Sequence, residues 1–265
     1  MITPPVTWCR DDIAFALARI AYDAGRILAR MQGDIPPPDF KSDMSPVTAA
    51  DFASERLIVA ALKQAFPDVP IISEENSASH EGFGYDRFLL VDPLDGTRSF
   101  LAGKDDYVVL IAMIEQGQPI SGAVHAPVSG QTWWAGSRLF HAMQAVEAGQ
   151  PVTDLPRSPE RGETERVALG SYFHADAETD AILAQWQVSR VIRMSSGLKF
   201  VRLALGEADL YPRRSPTMQW DIAAGDALLR AVGGGILNDA GDLMVYGRSD
   251  CGWFSPPFLA HARLP

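Results

Sequence analysis

Hydrophobic residues recur at steps of three and four along the first part of the chain, a spacing typical of amphipathic helices. It predicts one helix over residues 11–31, capped by Asp11 or Asp12, and a second helix that begins at Thr48. The predicted inward-facing residues are Ile13, Leu17, Ile20, Ala24, Ile27 and Met31 in the first helix and Leu57, Ile58, Ala61, Leu62 and Phe66 in the second. The proline-rich segment 32–40 cannot continue the first helix, so two separate helices precede the first strand.

Short apolar runs separated by glycine- and proline-containing turns follow, and they indicate strands. The predicted strands cover residues 71–73, 88–91, 108–114, 120–124 and 132–135. The segment 145–165 is polar and contains prolines, as a connection between two units would. We therefore predict an N-terminal α+β half, residues 1–145, and a C-terminal α/β half, residues 146–265, which can also form one compact unit.

Strands and helices alternate in the second half. The predicted elements are a strand over residues 167–171, a helix over 176–186, a strand over 188–194, a helix over 198–205 and a helix over 221–231. The last helix stops at consecutive glycines, which is a strong helix-termination signal. The whole pattern predicts an α/β fold built in layers.

Composition and charge limit the classes of partner. Of 265 residues, 47% are hydrophobic, which suffices for a sizeable core, and the formal net charge is −10. Nucleic-acid binding is not expected, because it needs clustered Lys and Arg. No membrane insertion is expected either, since no apolar run is long enough and no leader pattern is visible, so a cytoplasmic location is predicted. Cys9 and Cys251 stand near opposite ends and are expected to be unpaired.

Two acidic residues follow directly on an apolar strand. In the run Leu89-Leu90-Val91-Asp92-Pro93-Leu94-Asp95-Gly96-Thr97, the proline cannot extend a strand ladder and fixes a turn. The carboxylates of Asp92 and Asp95 and the carbonyl of Leu94 can therefore converge on one point. Oxygen ligands of this kind suit Mg²⁺. An ordinary hydrophilic turn fits the same residues, because Asp-Gly after Pro is common turn chemistry.

Acidic residues also stand at two other element ends. Glu74 and Glu75 follow the predicted strand 71–73, and Asp221 begins the last predicted helix. Taken singly, a solvated loop and a helix cap explain these residues. Their combination with Asp92 and Asp95 favours a shared metal site.

Four segments together resemble the lithium-sensitive, magnesium-dependent phosphatases that include inositol monophosphatase. The segments are Pro46-Val47-Thr48-Ala49-Ala50-Asp51, Ser73-Glu74-Glu75, Asp92-Pro93-Leu94-Asp95-Gly96-Thr97 and Trp220-Asp221-Ile222-Ala223-Ala224-Gly225, in the family's order. They extend over most of the chain, so the resemblance is to a whole protein rather than to one loop. It implies an α/β fold of the layered αβαβα sandwich type found in sugar phosphatases.

The resemblance also implies a set of metal ligands. Two or three Mg²⁺ ions are expected. One ion would be held by Glu74, Asp92 and the Leu94 carbonyl, and a second by Asp92, Asp95 and Asp221. The substrate is then expected to be a small phosphorylated metabolite.

Catalytic roles follow from the same resemblance. Thr97, with Asp51 or Glu74 nearby, would orient and activate the attacking water. The backbone N–H groups around Gly96 and Thr97 would receive the phosphate.

Several stretches are similar to the bisphosphate nucleotidases of this family, which remove the 3′-phosphate from adenosine 3′,5′-bisphosphate. They are residues 111–117, 122–127, 195–200, 208–213 and 216–217. The similarity implies substrate contacts by His174, Ser196, Lys199 and Arg213 beside Asp221. Hydroxyl and cationic donors of this kind are what a second phosphate requires. Without the similarity, Lys199 fits a solvent-facing helix position and His174 a loop residue.

Other substrates stay open because the chain departs from the nucleotidases in two places. Arg98-Ser99-Phe100 replaces their usual Lys-Glu pair and is closer to histidinol-phosphate phosphatases, and residues 171–174 are also altered. Inositol 1-phosphate and histidinol phosphate are the alternatives. A noncatalytic regulator that binds nucleotide and metal is the alternative of another class, and the presence of all the acidic ligands argues against it. A homodimer is a further expectation from the family.

Overall fold

The computed structural model describes residues 8–34, 37–41, 46–146, 165–172, 177–248, 250–261 and 263. Two helices form its first layer, α1 (Arg10–Met31) and α2 (Ala49–Ala65). Between them, the two-residue strands β1 (Asp39–Phe40) and β2 (Pro46–Val47) pair antiparallel.

A six-stranded sheet lies against the two helices. Its strands, in order across the sheet, are β3 (Ile71–Ser73), β4 (Arg87–Asp95), β5 (Val108–Glu115), β6 (Gln118–Ala126), β7 (Gln131–Ala135) and β8 (Leu139–Met143). The pair β3 and β4 is parallel, and all other neighbours are antiparallel. The carboxyl ends of β3 and β4 therefore meet at the same edge of the sheet. The short helix α3 (Thr97–Leu101) begins just beyond this edge.

Both faces of this sheet are buried, because its strands carry apolar residues at nearly every position. Leu89, Val91, Val109, Ile111 and Met113 face α1 and α2, whereas Phe88, Leu90, Leu110, Ala112 and Ile114 face the opposite side. This alternation follows from the two-residue period of a strand.

The second half of the chain supplies the remaining three layers. Its elements are β9 (Arg166–Gly170), α4 (Ala177–Gln185), β10 (Val188–Arg193), α5 (Leu198–Ala204), β11 (Leu210–Arg213), β12 (Thr217–Met218), α6 (Gln219–Ala231), β13 (Gly235–Leu237), β14 (Phe254–Ser255) and β15 (Phe258–His261). A five-stranded sheet has the order β10-β9-β11-β15-β13, and β12 pairs with β14. Helices α5 and α6 lie between the two sheets. Helix α4 lies on the outer face, where Trp186 contacts His261 with ring centroids 4.9 Å apart.

These five layers confirm the predicted αβαβα sandwich. One cluster of buried apolar side chains joins α5 and α6 to both sheets, so the two predicted halves share a core layer. Most of the predicted connection at residues 145–165 lies outside the described residues, so the division there stays a prediction. Among the described helices, none combines the length and apolarity that a membrane span needs. Cys9 and Cys251 are both free, as predicted.

Several element details differ from the sequence predictions. Helix α1 begins at Arg10 with Cys9 rather than Asp11 or Asp12 at the cap position, and strands β8, β11, β13 and β15 are among those not predicted. In α1, Leu28 is fully buried and Ile27 is only partly buried, because a helix of 3.6 residues per turn rotates its inward stripe relative to a strict heptad. Helix α6 begins at Gln219, so Asp221 is the third residue of the helix rather than its cap. Strand β4 continues to Asp95 and is interrupted only by a register shift between Asp92 and Asp95.

Helix α1 lies close to the sheet at Gly25. A Cβ atom at this position would lie 2.1 Å from Cδ2 of His125 and 3.1 Å from Cγ of Pro127. The His125 ring cannot move aside easily, because it is buried in β6 and its Nδ1 is bonded to Oγ1 of Thr132 at 2.9 Å. Burial lowers the pKa of His125 to about 4, so the ring is neutral at neutral pH.

We predict that Gly25→Ala destabilises the protein by about 1–3 kcal/mol, because overpacking displaces the buried ring. Helix propensity alone would give the opposite sign, since Ala is favoured over Gly by about 1 kcal/mol within a helix. Urea unfolding measures the difference, with Arg26→Ala on the exposed side of α1 as the control. Equal stability of Gly25→Ala and the wild type would contradict the close approach.

Candidate active site

Among the described residues, three acidic side chains from different elements meet at one point. Glu74 follows β3, Asp92 lies on β4, and Asp221 lies in the first turn of α6. One carboxylate oxygen from each lies within 4.8 Å of the others. The parallel pairing of Ser73 with Val91 places Glu74 beside Asp92, and the packing of α6 against β4 adds Asp221.

The end of β4 is shaped by its proline. Pro93 and Leu94 fall within the register shift, where the ladder between β4 and β5 is broken. Oδ1 of Asp92 accepts the N–H of Leu94 at 3.0 Å, which fixes the carboxylate at the start of this irregular segment. Asp92 is only 2% exposed, so the interpretation as a hydrophilic surface turn is wrong for this residue.

Asp221 is fixed by the start of its own helix. Oδ2 of Asp221 accepts the N–H of Met218 at 2.9 Å and also accepts the hydroxyl of Thr217. A carboxylate at this position of a helix commonly closes the first turn in this way. One carboxylate oxygen of Asp221 is thus used by the helix, and the other is left for a ligand.

His80 contacts the residues that precede Glu74 and Asp221. Nε2 of His80 donates to the carbonyl of Ser73 at 2.8 Å, and the His80 ring stacks on Trp220 with centroids 4.9 Å apart. The residues directly before Glu74 and Asp221 are therefore held to the same side chain. The sequence pattern did not indicate His80.

The negative charges of these acids repel one another, so the group is unfavourable without a cation. Burial, and then the charge of Glu74 and the other acids, raises the pKa of Asp92 well above its ordinary value. Burial and the charge of Glu74 likewise raise the pKa of Asp221. Buried like charges need an opposite charge, and a set of oxygen ligands alone suits a hard divalent cation such as Mg²⁺. The residues present therefore fit such an ion.

Lys41 was missed by the sequence analysis. Its Nζ lies 2.7 Å from Oε1 of Glu74 and 2.7 Å from Oε1 of Glu75. Burial alone would lower the pKa of Lys41, but the charge of Glu74 and the bonds to both acids raise it. Burial and the charge of Glu74 raise the pKa of Glu75 to about 7. Lys41 follows the proline-rich segment, where no periodic pattern marks a functional residue.

Thr97 and Asp51 lie together, as the resemblance implied. Oγ1 of Thr97 is 3.3 Å from Oδ1 of Asp51 and 3.2 Å from the carbonyl oxygen of Leu94. The other oxygen of Asp51 accepts the backbone N–H of Thr48 at 2.7 Å and its hydroxyl at 2.6 Å, which closes a capping box at the start of α2. Burial raises the pKa of Asp51. The Thr97 hydroxyl thus lies between the end of β4 and a fixed, buried carboxylate.

Asp95 lies beside Glu74, Asp92 and Asp221 and also contacts the second half of the chain. Its Oδ2 accepts the N–H of Gly197, a residue 102 positions further along the chain. Burial and the charge of Asp221 raise the pKa of Asp95 to about 7, and the charge of Lys199 acts in the opposite direction. Gly96 follows with φ of +101°, a left-handed conformation that favours glycine and turns the chain into α3.

Part of this group lines a cleft of about 400 Å³, within the range of small-molecule sites, whereas the predicted site residues Asp51, Asp92 and Leu94 are not among its lining residues. Predicted residues that line it are Glu74, Asp95, Gly96, Thr97, Ser196, Lys199, Arg213 and Asp221. Exposed Phe254 and partly buried Met218 also line it and were not predicted. His174 lies outside the described residues, so its predicted role stays a prediction.

Of the two predicted cations of the cleft, Lys199 is buried and Arg213 is partly buried. Both donate hydrogen bonds to backbone carbonyls. Nζ of Lys199 donates to the carbonyl of Ser196 at 2.6 Å, and Nη2 of Arg213 donates to the carbonyl of Pro216 at 3.0 Å. Lys199 is 4% exposed, so the alternative interpretation as a solvent-facing helix residue is wrong. Both charges lie on the side of the cleft that the second half of the chain supplies.

Comparison with known proteins extends this description to the whole chain. The curated 3′(2′),5′-bisphosphate nucleotidase CysQ of Escherichia coli K12 is 36% identical over 228 residues, which cover 82% of this chain and 87% of that protein. CysQ of Haemophilus influenzae is 28% identical over 233 residues, which cover 87% of this chain and 86% of that protein.

Solved structures show the same likeness of fold. CysQ from Bacteroides thetaiotaomicron matches with a TM-score of 0.80 at 29% identity, covering 95% of this chain and 97% of that one. The IMPase of Thermotoga maritima matches with a TM-score of 0.75 at 24% identity, covering 96% and 93%. The sequence profile of the inositol monophosphatase family matches residues 11–259. The chain therefore belongs to the inositol monophosphatase family.

Proposed function

We propose that this chain is a Mg²⁺-dependent phosphomonoesterase that hydrolyses a 3′(2′),5′-bisphosphate nucleotide, with adenosine 3′,5′-bisphosphate as the first candidate. Water and this substrate would give AMP and inorganic phosphate. The observation that carries the proposal is the group of Glu74, Asp92 and Asp221, two of which, Glu74 and Asp221, line a cleft together with Lys199 and Arg213. The similarity to proteins named as bisphosphate nucleotidases supports the choice of substrate.

The family resemblance implies the ligand assignment, and the proximity of Glu74, Asp92 and Asp221 supports it. We assign Glu74, Asp92 and the Leu94 carbonyl to one ion, and Asp92, Asp95 and Asp221 to a second, so that Asp92 is shared. When bound, such ions stabilise charge on the phosphate oxygens and increase the acidity of water. A homodimer and a cytoplasmic location stay predictions.

Thr97 and Asp51 are placed to move a proton. Oγ1 of Thr97 can accept a proton from the attacking water while its own proton passes to Oδ1 of Asp51, 3.3 Å away. The bonds from Thr48 to the other oxygen of Asp51 fix the direction of this carboxylate. Gly96 and Thr97 line the cleft at the end of β4, where we place the scissile phosphate.

The second phosphate of the nucleotide is assigned to the opposite wall of the cleft. Lys199 and Arg213 provide positive charge there, and Ser196 provides a hydroxyl. Each cation has further N–H donors, so a bisphosphate could add charge-assisted bonds to phosphate oxygens, which are stronger than bonds between neutral groups. A substrate with a single phosphate would leave these cations without that gain.

We predict that phosphate release in Mg²⁺ is fastest from adenosine 3′,5′-bisphosphate when it is compared in parallel with inositol 1-phosphate and histidinol phosphate. The expected preference in kcat/KM is about tenfold or more, because the other two substrates lack a second phosphate. EDTA should abolish release from all three. Preference for either other substrate would contradict the assignment of the second phosphate, and no release from any would favour a noncatalytic regulator.

A second prediction separates two roles of Asp95. If Asp95 is a metal ligand, Asp95→Asn should lower kcat/KM by about 1,000-fold, as Asp92→Asn should, because each change removes a ligand charge worth several kcal/mol. Asparagine retains an oxygen that can accept the Gly197 N–H, so the hydrogen bond alone would be largely kept. Calorimetric titration with Mg²⁺ should show weakened binding in both variants. Near wild-type activity of Asp95→Asn would show that Asp95 only holds the Gly197 segment.

A further inference from the structure

Two carboxylates from the first half of the chain hold a turn in the second half. The N–H of Ser195 donates to Oδ2 of Asp106 at 2.9 Å, and the N–H of Gly197 donates to Oδ2 of Asp95. Asp95 ends β4, and Asp106 lies just before β5. The two bonds therefore flank Ser196 on both sides.

Ser196 has an unusual backbone conformation. Its φ of +58° lies in the left-handed region, which residues other than glycine adopt only at a cost in free energy. Such a conformation persists where surrounding interactions impose it. The hydrogen bonds that Asp106 and Asp95 accept fix the N–H groups on either side of Ser196, so they are suited to impose this conformation.

The conformation of this turn sets the position of a cation in the cleft. Nζ of Lys199 donates to the carbonyl of Ser196 at 2.6 Å, its shortest hydrogen bond among the described contacts. Ser195, Ser196 and Gly197 line the cleft together with Lys199. A rotation of Ser196 out of the left-handed region would turn its carbonyl and its hydroxyl, and the ammonium would lose this acceptor.

The contacts of Asp106 among the described residues indicate no other role for its side chain. Its Oδ1 is buried and has no hydrogen-bond partner among the described residues, a cost that calls for a compensating interaction. Its carbonyl oxygen is close to Gly96, where a Cβ atom would approach it to 3.3 Å. Asp106 thus lies against the segment that carries Asp95 and Thr97, behind the described residues that line the cleft.

We propose that Asp106 is a positioning residue for substrate binding, which holds the turn from Ser195 to Gly197 so that Ser196 and Lys199 face the second phosphate of the nucleotide. The identity of that ligand rests on the proposed function. The role of Asp106 goes beyond it, because this residue acts through the turn rather than by contact with substrate or metal.

Steady-state kinetics with adenosine 3′,5′-bisphosphate test the proposal. Asp106→Ala should raise KM about tenfold while kcat changes by about twofold or less, since binding rather than the reacting centre is altered. Asp106→Asn should keep most of the wild-type KM, because its amide oxygen can still accept the Ser195 N–H. The matched control is Asp105→Ala, the same change of charge at the exposed neighbouring position.

A second variant, Ser196→Gly, separates a positioning role of Asp106 from a general structural effect of its removal. Glycine adopts the left-handed conformation without support, so Ser196→Gly should make the turn less dependent on Asp106. In the Ser196→Gly background, Asp106→Ala should raise KM by only about twofold. The effects of the two substitutions on KM would then be non-additive in a double-mutant cycle. The same tenfold effect in both backgrounds would contradict the positioning role.

The outcomes distinguish this inference from the proposed function. Wild-type protein that does not hydrolyse the bisphosphate would contradict the proposed function. Wild-type protein that hydrolyses it, while Asp106→Ala matches Asp105→Ala in KM, would contradict only the role of Asp106. If Asp106→Ala does not fold, Asp106→Asn decides, and a KM raised about tenfold in this folded variant would overturn the proposal.

Discussion

The mutual repulsion of three neighbouring carboxylates, one buried and two partly buried, is the constraint on which the rest of this structure depends. Glu74, Asp92 and Asp221 present oxygens within 4.8 Å of one another, and burial with neighbouring charge raises the pKa values of Asp92 and Asp221. A chain that could relax would separate them. Here the parallel pairing of β3 with β4 and the packing of α6 between two sheets fix their backbones. The layered core therefore holds a geometry that a divalent cation would stabilise.

The two halves of the chain contribute different chemistry to the cleft. The ends of β3 and β4 supply acids, whereas the second half supplies one acid, Asp221, together with Ser196, Lys199 and Arg213. The hydrogen bonds of Asp95 to Gly197 and of Asp106 to Ser195 connect the two sides directly. A substrate that carries two phosphates would make use of both sides at once.

The acids of the site could be predicted because their signals are local. An apolar strand that ends in Asp92 or Glu74 is visible in a few consecutive residues, and the layered fold follows from the alternation of short periodic segments. Other features depend on contacts between distant residues, such as the bond from Asp95 to Gly197, 102 positions away. Lys41 and Asp106 lie in irregular segments, where no periodicity shows which way a side chain points.

The effect of Mg²⁺ on thermal stability tests the central claim most directly. If the three acids form an ion site, saturating Mg²⁺ should raise the Tm of the wild-type protein by about 5 °C relative to EDTA, because binding to the folded state alone stabilises it. Asp92→Asn should show little or no such rise, since it lacks the shared ligand charge. An equal rise in Tm for the wild type and Asp92→Asn would contradict the account.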